Sequence, residues 1–232
     1  MTYIKKVSCD MDYWCLIDQN INRMKEAINN FHFGKPENLV EINGALSNLL
    51  SAYYLWKCYN RDKSDNTFKF IQEEYRSKHV ECYLISELRN YVAHNGFAIS
   101  VASFDVLNEV LKLNVRPKDI IDSMAKAKKK PNAAFKQYLS DLISSSKDID
   151  IIPLIDQFRM IYTEIQKQLW QQQEANVRTA LKEVFTIVPK ESPDLYNSYV
   201  ISEDKERYLN TGHPLYYFGY KAKKYYPRFL TI

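Results

Sequence analysis

The sequence predicts an all-α protein, an up-and-down helical bundle with a short extended or β segment at about residues 97–115. Gly and Pro are scarce, with 5 and 8 among 232 residues, and a sheet-rich fold with many tight turns needs more of both. The aromatic share of 14% excludes disorder along the whole chain. Over most of the length, apolar residues recur at three- and four-residue steps, which is the helical period.

This periodicity and the turn residues divide the chain into successive helices. The apolar residues between Leu39 and Trp56 follow the helical period, and the segment FGKPEN before them is a turn. Asp65 and Asn66 are expected to cap the third helix, and Gly96 to close the fourth. We expect helices at about residues 16–31, 37–59, 66–75, 79–95, 119–129, 132–144 and 152–187.

Two short segments after Gly96 differ from the helical pattern. FAISVASF is rich in β-branched residues and KLNV alternates, so both are expected to be short strands or irregular extended segments. The helical bundle is expected to span residues 1–187. Residues 188–232 lose any clear period and are expected to form an aromatic and basic extension that packs on the bundle.

The sequence indicates a cytoplasmic protein without a membrane span. The amino-terminal residues contain no uninterrupted apolar segment of the kind that secretory signals carry. The longest charge-free stretches, such as Ile42–Trp56, are too short and too polar to cross a bilayer. The four cysteines lie far apart with no C-x-x-C pair, so we expect free thiols.

The sequence offers no cofactor or metal site. His32, His79 and His213 have no metal-ligand spacing among themselves or with the cysteines. The chain contains no Gly-rich phosphate loop and no G-x-S-x-G motif, so P-loop nucleotide hydrolysis and α/β-hydrolase chemistry have no support. We therefore expect a protein that needs neither a metal nor a cofactor.

The last residues of the chain are a candidate RNA-binding segment. The net charge is +4, and the positive excess lies in the second half of the chain. Aromatic rings can stack on unpaired bases while Lys and Arg neutralise phosphates. The alternative is that these rings dock the tail onto the bundle. The candidate RNA-binding residues are Tyr220, Lys221, Lys223, Lys224, Tyr225 and Arg228.

The helix SELRNYVAHNG is the most informative stretch, because a helical projection divides it into two different faces. Its polar face holds Arg89, Asn90 and His94 beside small residues, which permit close approach of another helix or a ligand. The small residues are Cys82, Ser86 and Ala93, and the opposite, apolar face is formed by Val80, Leu84, Ile85, Leu88, Tyr91 and Val92.

Arg89, Asn90 and His94 together suit RNA cleavage by attack of the ribose 2′-OH on the adjacent phosphate. His94 exchanges protons as a general acid or base, Arg89 stabilises the charge on the pentacoordinate phosphorus, and Asn90 orients one of them. The alternative is structural: His94 gains from the helix dipole, and Arg89 pairs with Glu87 or Glu81.

The segment LRNYVAH directly before a helix-ending NG resembles the HEPN superfamily, whose ribonuclease members share an Arg-polar-x-x-x-His motif late in one helix. Arg89, Asn90 and His94 match its three positions, and the resemblance covers about residues 16–187. It implies a helical bundle and a homodimer in which two motif helices face a shared cleft. It also implies a toxin or anti-phage effector that cleaves RNA, with a nucleotidyltransferase-like antitoxin as a further partner.

The sequence thus predicts a metal-independent endoribonuclease that cleaves single-stranded RNA and forms a homodimer through the Arg89–His94 helix. Two alternatives remain open. One is a non-catalytic HEPN-like module that binds a protein partner or a nucleotide through the same face. The other is a structural dimerisation bundle, which would tolerate replacement of Arg89 and His94 without any loss except stability.

Overall fold

The computed structural model describes residues 2–63, 66–106, 109–128 and 132–172, together with 175 and 179. These residues form a mainly helical protein with one small antiparallel sheet, which agrees with the predicted helical fold and its short extended segment. The up-and-down bundle stays a prediction. The helices are α1 (Thr2–Asn29), α2 (Pro36–Lys63), α3 (Thr67–Lys78), α4 (Val80–Asn95), α5 (Pro117–Lys126), α6 (Ala133–Ser144) and α7 (Ile151–Gln172).

The predicted helices are confirmed over the described residues, but several boundaries differ. The predicted end of the last helix near residue 187 lies outside the described residues. Helix α1 begins at Thr2 rather than near Leu16, because the segment before Leu16 contains no Gly or Pro to interrupt it. Asn66 occupies the N-cap of α3, but its φ is 65° and its side chain makes no capping hydrogen bond, so the predicted cap is wrong for Asn66. Asp65 lies outside the described residues. Gly96 ends α4 with a φ of 85°, as predicted.

The chain after α4 forms two strands of a small antiparallel sheet. Strand β1 (Val101–Asp105) pairs in antiparallel fashion with β2 (Val110–Val115), and β2 pairs with a two-residue strand β3 (Ile149–Asp150). The first two strands confirm the predicted extended segments. The sequence did not indicate β3, because two residues are too few to show a period.

Residues Ile17–Gln166 form one compact unit, and the described residues on either side of it belong to another. Within Ile17–Gln166, α4 packs against α2, α3, α5 and α6. The core beside it contains a cluster of aromatic rings in which Trp56 contacts Phe68 and Tyr162 edge to face. The indole Nε1 of Trp56 donates a hydrogen bond of 2.8 Å to Oε1 of Gln166. The apolar residues predicted to follow the helical period in α2 are thus part of this core.

A buried asparagine joins α2 to the chain that leaves α4. The side chain of Asn43 accepts a hydrogen bond of 2.9 Å from the backbone N–H of Ile99 and donates one of 3.0 Å to its carbonyl. It also donates to the Leu39 carbonyl one turn earlier. Because Ile99 follows α4 closely, this clamp holds the carboxyl end of α4 against α2.

No helix among the described residues is long and apolar enough to cross a membrane. The predicted domain boundary near residue 187 and the extension at 188–232 lie outside the described residues.

We predict that Asn43→Ala lowers the free energy of unfolding by about 2–4 kcal/mol, because it leaves two buried backbone groups of Ile99 without a partner. Urea denaturation followed by circular dichroism measures the change. Asn48→Ala on the exposed face of α2 is the control and should change it by less than about 0.5 kcal/mol. Equal stabilities of the two variants would contradict the clamp.

Candidate functional site

A cleft of about 240 Å³ lies where α2, α3 and α4 meet. Helix α4 supplies its lining with residues at steps of one turn, which places them on one face of the helix. Helix α2 also contributes side chains that lie about one turn apart, and α3 contributes one side chain. The lining residues are Tyr53, Tyr54, Lys57, Arg76, Ser86, Glu87, Arg89 and Asn90.

The guanidinium of Arg89 lies close to the Tyr54 ring in the lining of the cleft. Its Cζ is 3.8 Å from the centroid of the Tyr54 ring, which is a close cation–π contact. The ion pairs found among the described residues do not include Arg89, so the structure gives no support to the alternative of a salt bridge from Arg89 to Glu81 or Glu87. The contact holds the guanidinium beside the Tyr54 ring.

Arg76 enters the cleft from α3. Its Cζ lies 5.1 Å from the centroid of the Tyr83 ring, and its Nη2 donates a hydrogen bond of 3.4 Å to the Ser86 hydroxyl. That hydroxyl donates in turn to the carbonyl of Cys82. The Nε of Arg76 is buried and has no hydrogen-bond partner in the described part of the chain. Nε2 of Gln72 and Nε2 of Gln166 are two further buried atoms of this kind among the described residues. Because Arg76 is the one of these three residues that lines the cleft, its donor makes it a candidate binding residue.

The pKa of Lys57 falls to about 8. Burial is the largest cause because it disfavours the charged ammonium, and the positive charges of Arg76 and Arg61 act in the same direction. Glu87 and Cys58 oppose the shift only in part. Lys57 is therefore a cation that the surrounding protein destabilises.

The cleft carries more positive than negative charge. Its lining contains the cations of Lys57, Arg76 and Arg89 and the single carboxylate of Glu87. None of the three cations forms an ion pair with a carboxylate of the described residues. Partly buried charges are ordinarily paired. The arrangement is therefore suited to an anion supplied by a ligand.

The structure brings two of the three motif residues together. Asn90 lines the cleft beside Arg89, and its Nδ2 donates a hydrogen bond of 3.1 Å to Oε2 of Glu87. His94 is exposed on the last turn of α4 and does not line the cleft. Five helical positions separate it from Arg89 by about 7.5 Å along the axis and about 140° around it. Within one chain, the imidazole lies apart from the guanidinium.

The small-residue face of α4 is divided. Cys82 and Ser86 are buried within the chain, so the structure corrects the expectation that they form a surface for a second subunit. Ala93 and His94 are exposed in the last turn. The part of the small-residue face of α4 that a second subunit could contact is therefore its carboxyl-terminal end.

The other predicted sites are resolved only in part. The candidate RNA-binding residues of the tail lie outside the described residues: Tyr220, Lys221, Lys223, Lys224, Tyr225 and Arg228. No group of three or more His, Cys, Asp or Glu among the described residues is placed to hold a metal ion.

Sequence reasoning missed Lys57, Arg76 and Tyr54. Lys57 directly follows the charge-free run of α2, which is a weak signal that this part of the helix approaches other elements. Nothing in the sequence relates Arg76 to Arg89, because the two residues belong to different helices and meet only through the tertiary fold.

Comparison with protein-family models, with curated proteins and with solved structures finds no match for this chain. The resemblance to HEPN domains therefore depends on the residues of the motif itself.

We predict that Lys57 has an unusual acylation profile. The rate of acylation by a succinimidyl ester, followed by peptide mass spectrometry, should rise with a midpoint near its pKa of about 8. Arg76→Gln should move this midpoint upward, because it removes a positive charge that disfavours the ammonium. Arg23→Gln on the exposed surface of α1 should leave it unchanged. A midpoint above about 10, the usual range of lysine, would contradict the described environment.

Proposed function

We propose that the protein is a metal-independent endoribonuclease that cleaves single-stranded RNA and acts as a toxin or anti-phage effector of HEPN type. The observation that carries the proposal is the position of Arg89 and Asn90 in a cationic cleft, with an exposed histidine on the next turn of the same helix. The sequence motif and the positive charge of the cleft thus both favour a phosphate as the ligand.

Each residue has a defined task in the proposed reaction. His94 removes the proton of the ribose 2′-OH, whose oxygen attacks the adjacent phosphorus. Arg89 donates hydrogen bonds to the non-bridging oxygens and stabilises the charge that they gain. The bond from phosphorus to the 5′ oxygen breaks, and that oxygen takes up a proton. The products are a 2′,3′-cyclic phosphate and a 5′-hydroxyl end, and Asn90 orients the phosphate or the imidazole.

The separation of His94 from Arg89 favours a catalytic site shared by two chains. Ala93 and His94 form an exposed surface at the end of α4, and a small side chain lets a second helix approach closely. In a homodimer packed through this surface, the imidazole of one subunit serves the guanidinium of the other. This arrangement matches the paired motif helices that the HEPN resemblance implies.

The biological setting of the proposal follows from the same resemblance. It comprises a helical bundle that works in the cytoplasm and is restrained by a nucleotidyltransferase-like antitoxin. The reaction needs no metal and no cofactor, because His94 exchanges the protons and Arg89 stabilises the charge on the phosphate. The basic and aromatic tail would add contacts to the RNA chain.

A second function has specific support from the position of His94. A cleft that binds phosphate without a histidine beside it suits a non-catalytic module for a nucleotide. In that case the cations of the cleft would bind the ligand and His94 would take no part.

We predict that the purified protein cleaves single-stranded RNA in EDTA. His94→Ala and Arg89→Ala should each reduce the rate of cleavage by at least about 100-fold, because the first removes the proton transfer and the second removes the group that stabilises charge. Gel electrophoresis and mass spectrometry of the ends measure the rate and identify the 2′,3′-cyclic phosphate.

His32→Ala and Arg23→Ala, both at exposed positions, are the matched controls and should cleave like the wild type. Equal cleavage by the wild type and His94→Ala would contradict the catalytic role. Intact RNA combined with tight nucleotide binding would support the non-catalytic module instead. Mixing inactive His94→Ala with inactive Arg89→Ala should restore part of the activity if the site is shared between subunits.

A further inference from the structure

Two of the three cations in the cleft are not part of the Arg-polar-x-x-x-His motif. Lys57 belongs to α2 and Arg76 to α3, and both line the same cleft as Arg89. RNA cleavage as proposed above assigns them no task. Their convergence without a paired carboxylate therefore calls for a ligand group of its own.

We propose that Lys57, Arg76 and Arg89 form a phosphomonoester-binding site, which takes the terminal phosphate of a nucleotide or of an RNA chain. The inference deepens the function proposed above, since it concerns the same cleft. Binding of the phosphate itself does not require cleavage, so the two proposals can fail separately.

The balance of charge selects a monoester over a diester. With Lys57 protonated, three positive charges face the one carboxylate of Glu87. A phosphomonoester carries about −1.5 to −2 charges at pH 7, which matches this excess. An internal phosphodiester carries a single negative charge, so it neutralises only part of the excess positive charge of the cleft.

The size of the cleft agrees with a phosphate group rather than with a whole nucleotide. Its volume of about 240 Å³ is below the about 300–1,000 Å³ of pockets that enclose a drug-sized ligand. A phosphate and part of a ribose fit inside, and the base or the rest of an RNA chain extends past Tyr54, which is 40% exposed at the margin of the cleft.

The donors in the cleft suit phosphate oxygens. The buried Nε of Arg76 has no acceptor within the described ranges, and the guanidinium is fixed by Tyr83 and Ser86. The guanidinium of Arg89 is held beside Tyr54 by a cation–π contact. Two guanidinium groups held in this way offer preorganised, multidentate binding to phosphate. Glu87, held by Asn90, repels anions from its own side of the cleft.

Binding is linked to a proton on Lys57. The groups that face this ammonium are Arg76 from α3, Glu87 from α4, and Arg61 and Cys58 from its own helix, and its pKa is about 8. A bound dianion raises that pKa because it favours the charged form. At pH 8 binding should therefore take up about half a proton, and affinity should fall about tenfold between pH 7 and pH 9.

Isothermal titration calorimetry with uridine 5′-monophosphate tests the site. At pH 8 the nucleotide is already a dianion, so proton uptake, obtained from two buffers of different ionisation enthalpy, reports on the protein. Lys57→Ala should weaken binding at pH 7 at least about tenfold, the effect of losing a charge-assisted hydrogen bond. Lys57→Arg should keep the affinity and abolish both the proton uptake and the pH dependence.

Lys69→Ala, at an exposed position on α3, removes the same charge outside the cleft and should change the affinity less than about twofold. Arg76→Lys, which retains the charge, should weaken binding because it removes the fixed fork of donors. Absence of binding to the wild type, or equal effects of Lys57→Ala and Lys69→Ala, would overturn the proposal.

A pair of 2′-O-methyl oligonucleotides identifies the source of the phosphate, because they cannot be cleaved by 2′-OH attack. Tighter binding of the 5′-phosphorylated strand than of the nucleotide assigns the site to an RNA end, and equal binding assigns it to free nucleotides. A 5′-hydroxyl strand that binds as tightly as its phosphorylated counterpart would overturn the preference for a monoester. Binding of the nucleotide without any RNA cleavage leaves this site intact and removes only the ribonuclease.

Discussion

Repulsion among three cations that no carboxylate of the described chain neutralises is the constraint on which the cleft depends. Lys57, Arg76 and Arg89 come from three different helices, so the apolar core must hold them together against their mutual repulsion. The pKa of Lys57 is lowered first by burial and then by the positive charge of Arg76. Sites of binding and catalysis are where proteins tolerate such local destabilisation. A phosphate bound in the cleft would offset this destabilisation, because its negative charge favours the charged form of Lys57.

The core places these charges through α4. This helix buries Leu84, Ile85 and Leu88 and packs against four other helices, so its polar face has a fixed orientation. The Asn43 clamp fixes its carboxyl end relative to α2. The wall of the cleft and the exposed last turn that carries His94 are therefore parts of one rigid element.

The sequence predicted much of the fold and one wall of the site. Long periodic helices and the cap at Gly96 were visible because their signals are local. Strand β3 was not visible in the sequence because two residues show no period. The left-handed backbone of Asn66 was not visible either, because it departs from the usual geometry of a helix cap. Arg89 and Asn90 were found through their motif. Lys57 and Arg76 were missed because a charge cluster between helices exists only after packing. His94 was expected beside Arg89, but helical geometry turns it away within a single chain.

The most direct measurement of the central claim is the arginine Nε–H spectrum of the ¹⁵N-labelled protein during titration with uridine 5′-monophosphate. The account predicts that the signals of Arg76 and Arg89 shift in parallel and saturate at the same nucleotide concentration, while that of Arg23 on the exposed surface of α1 does not move. Signals of Arg76 and Arg89 that stay in place at millimolar nucleotide, or that shift no more than Arg23, would contradict it.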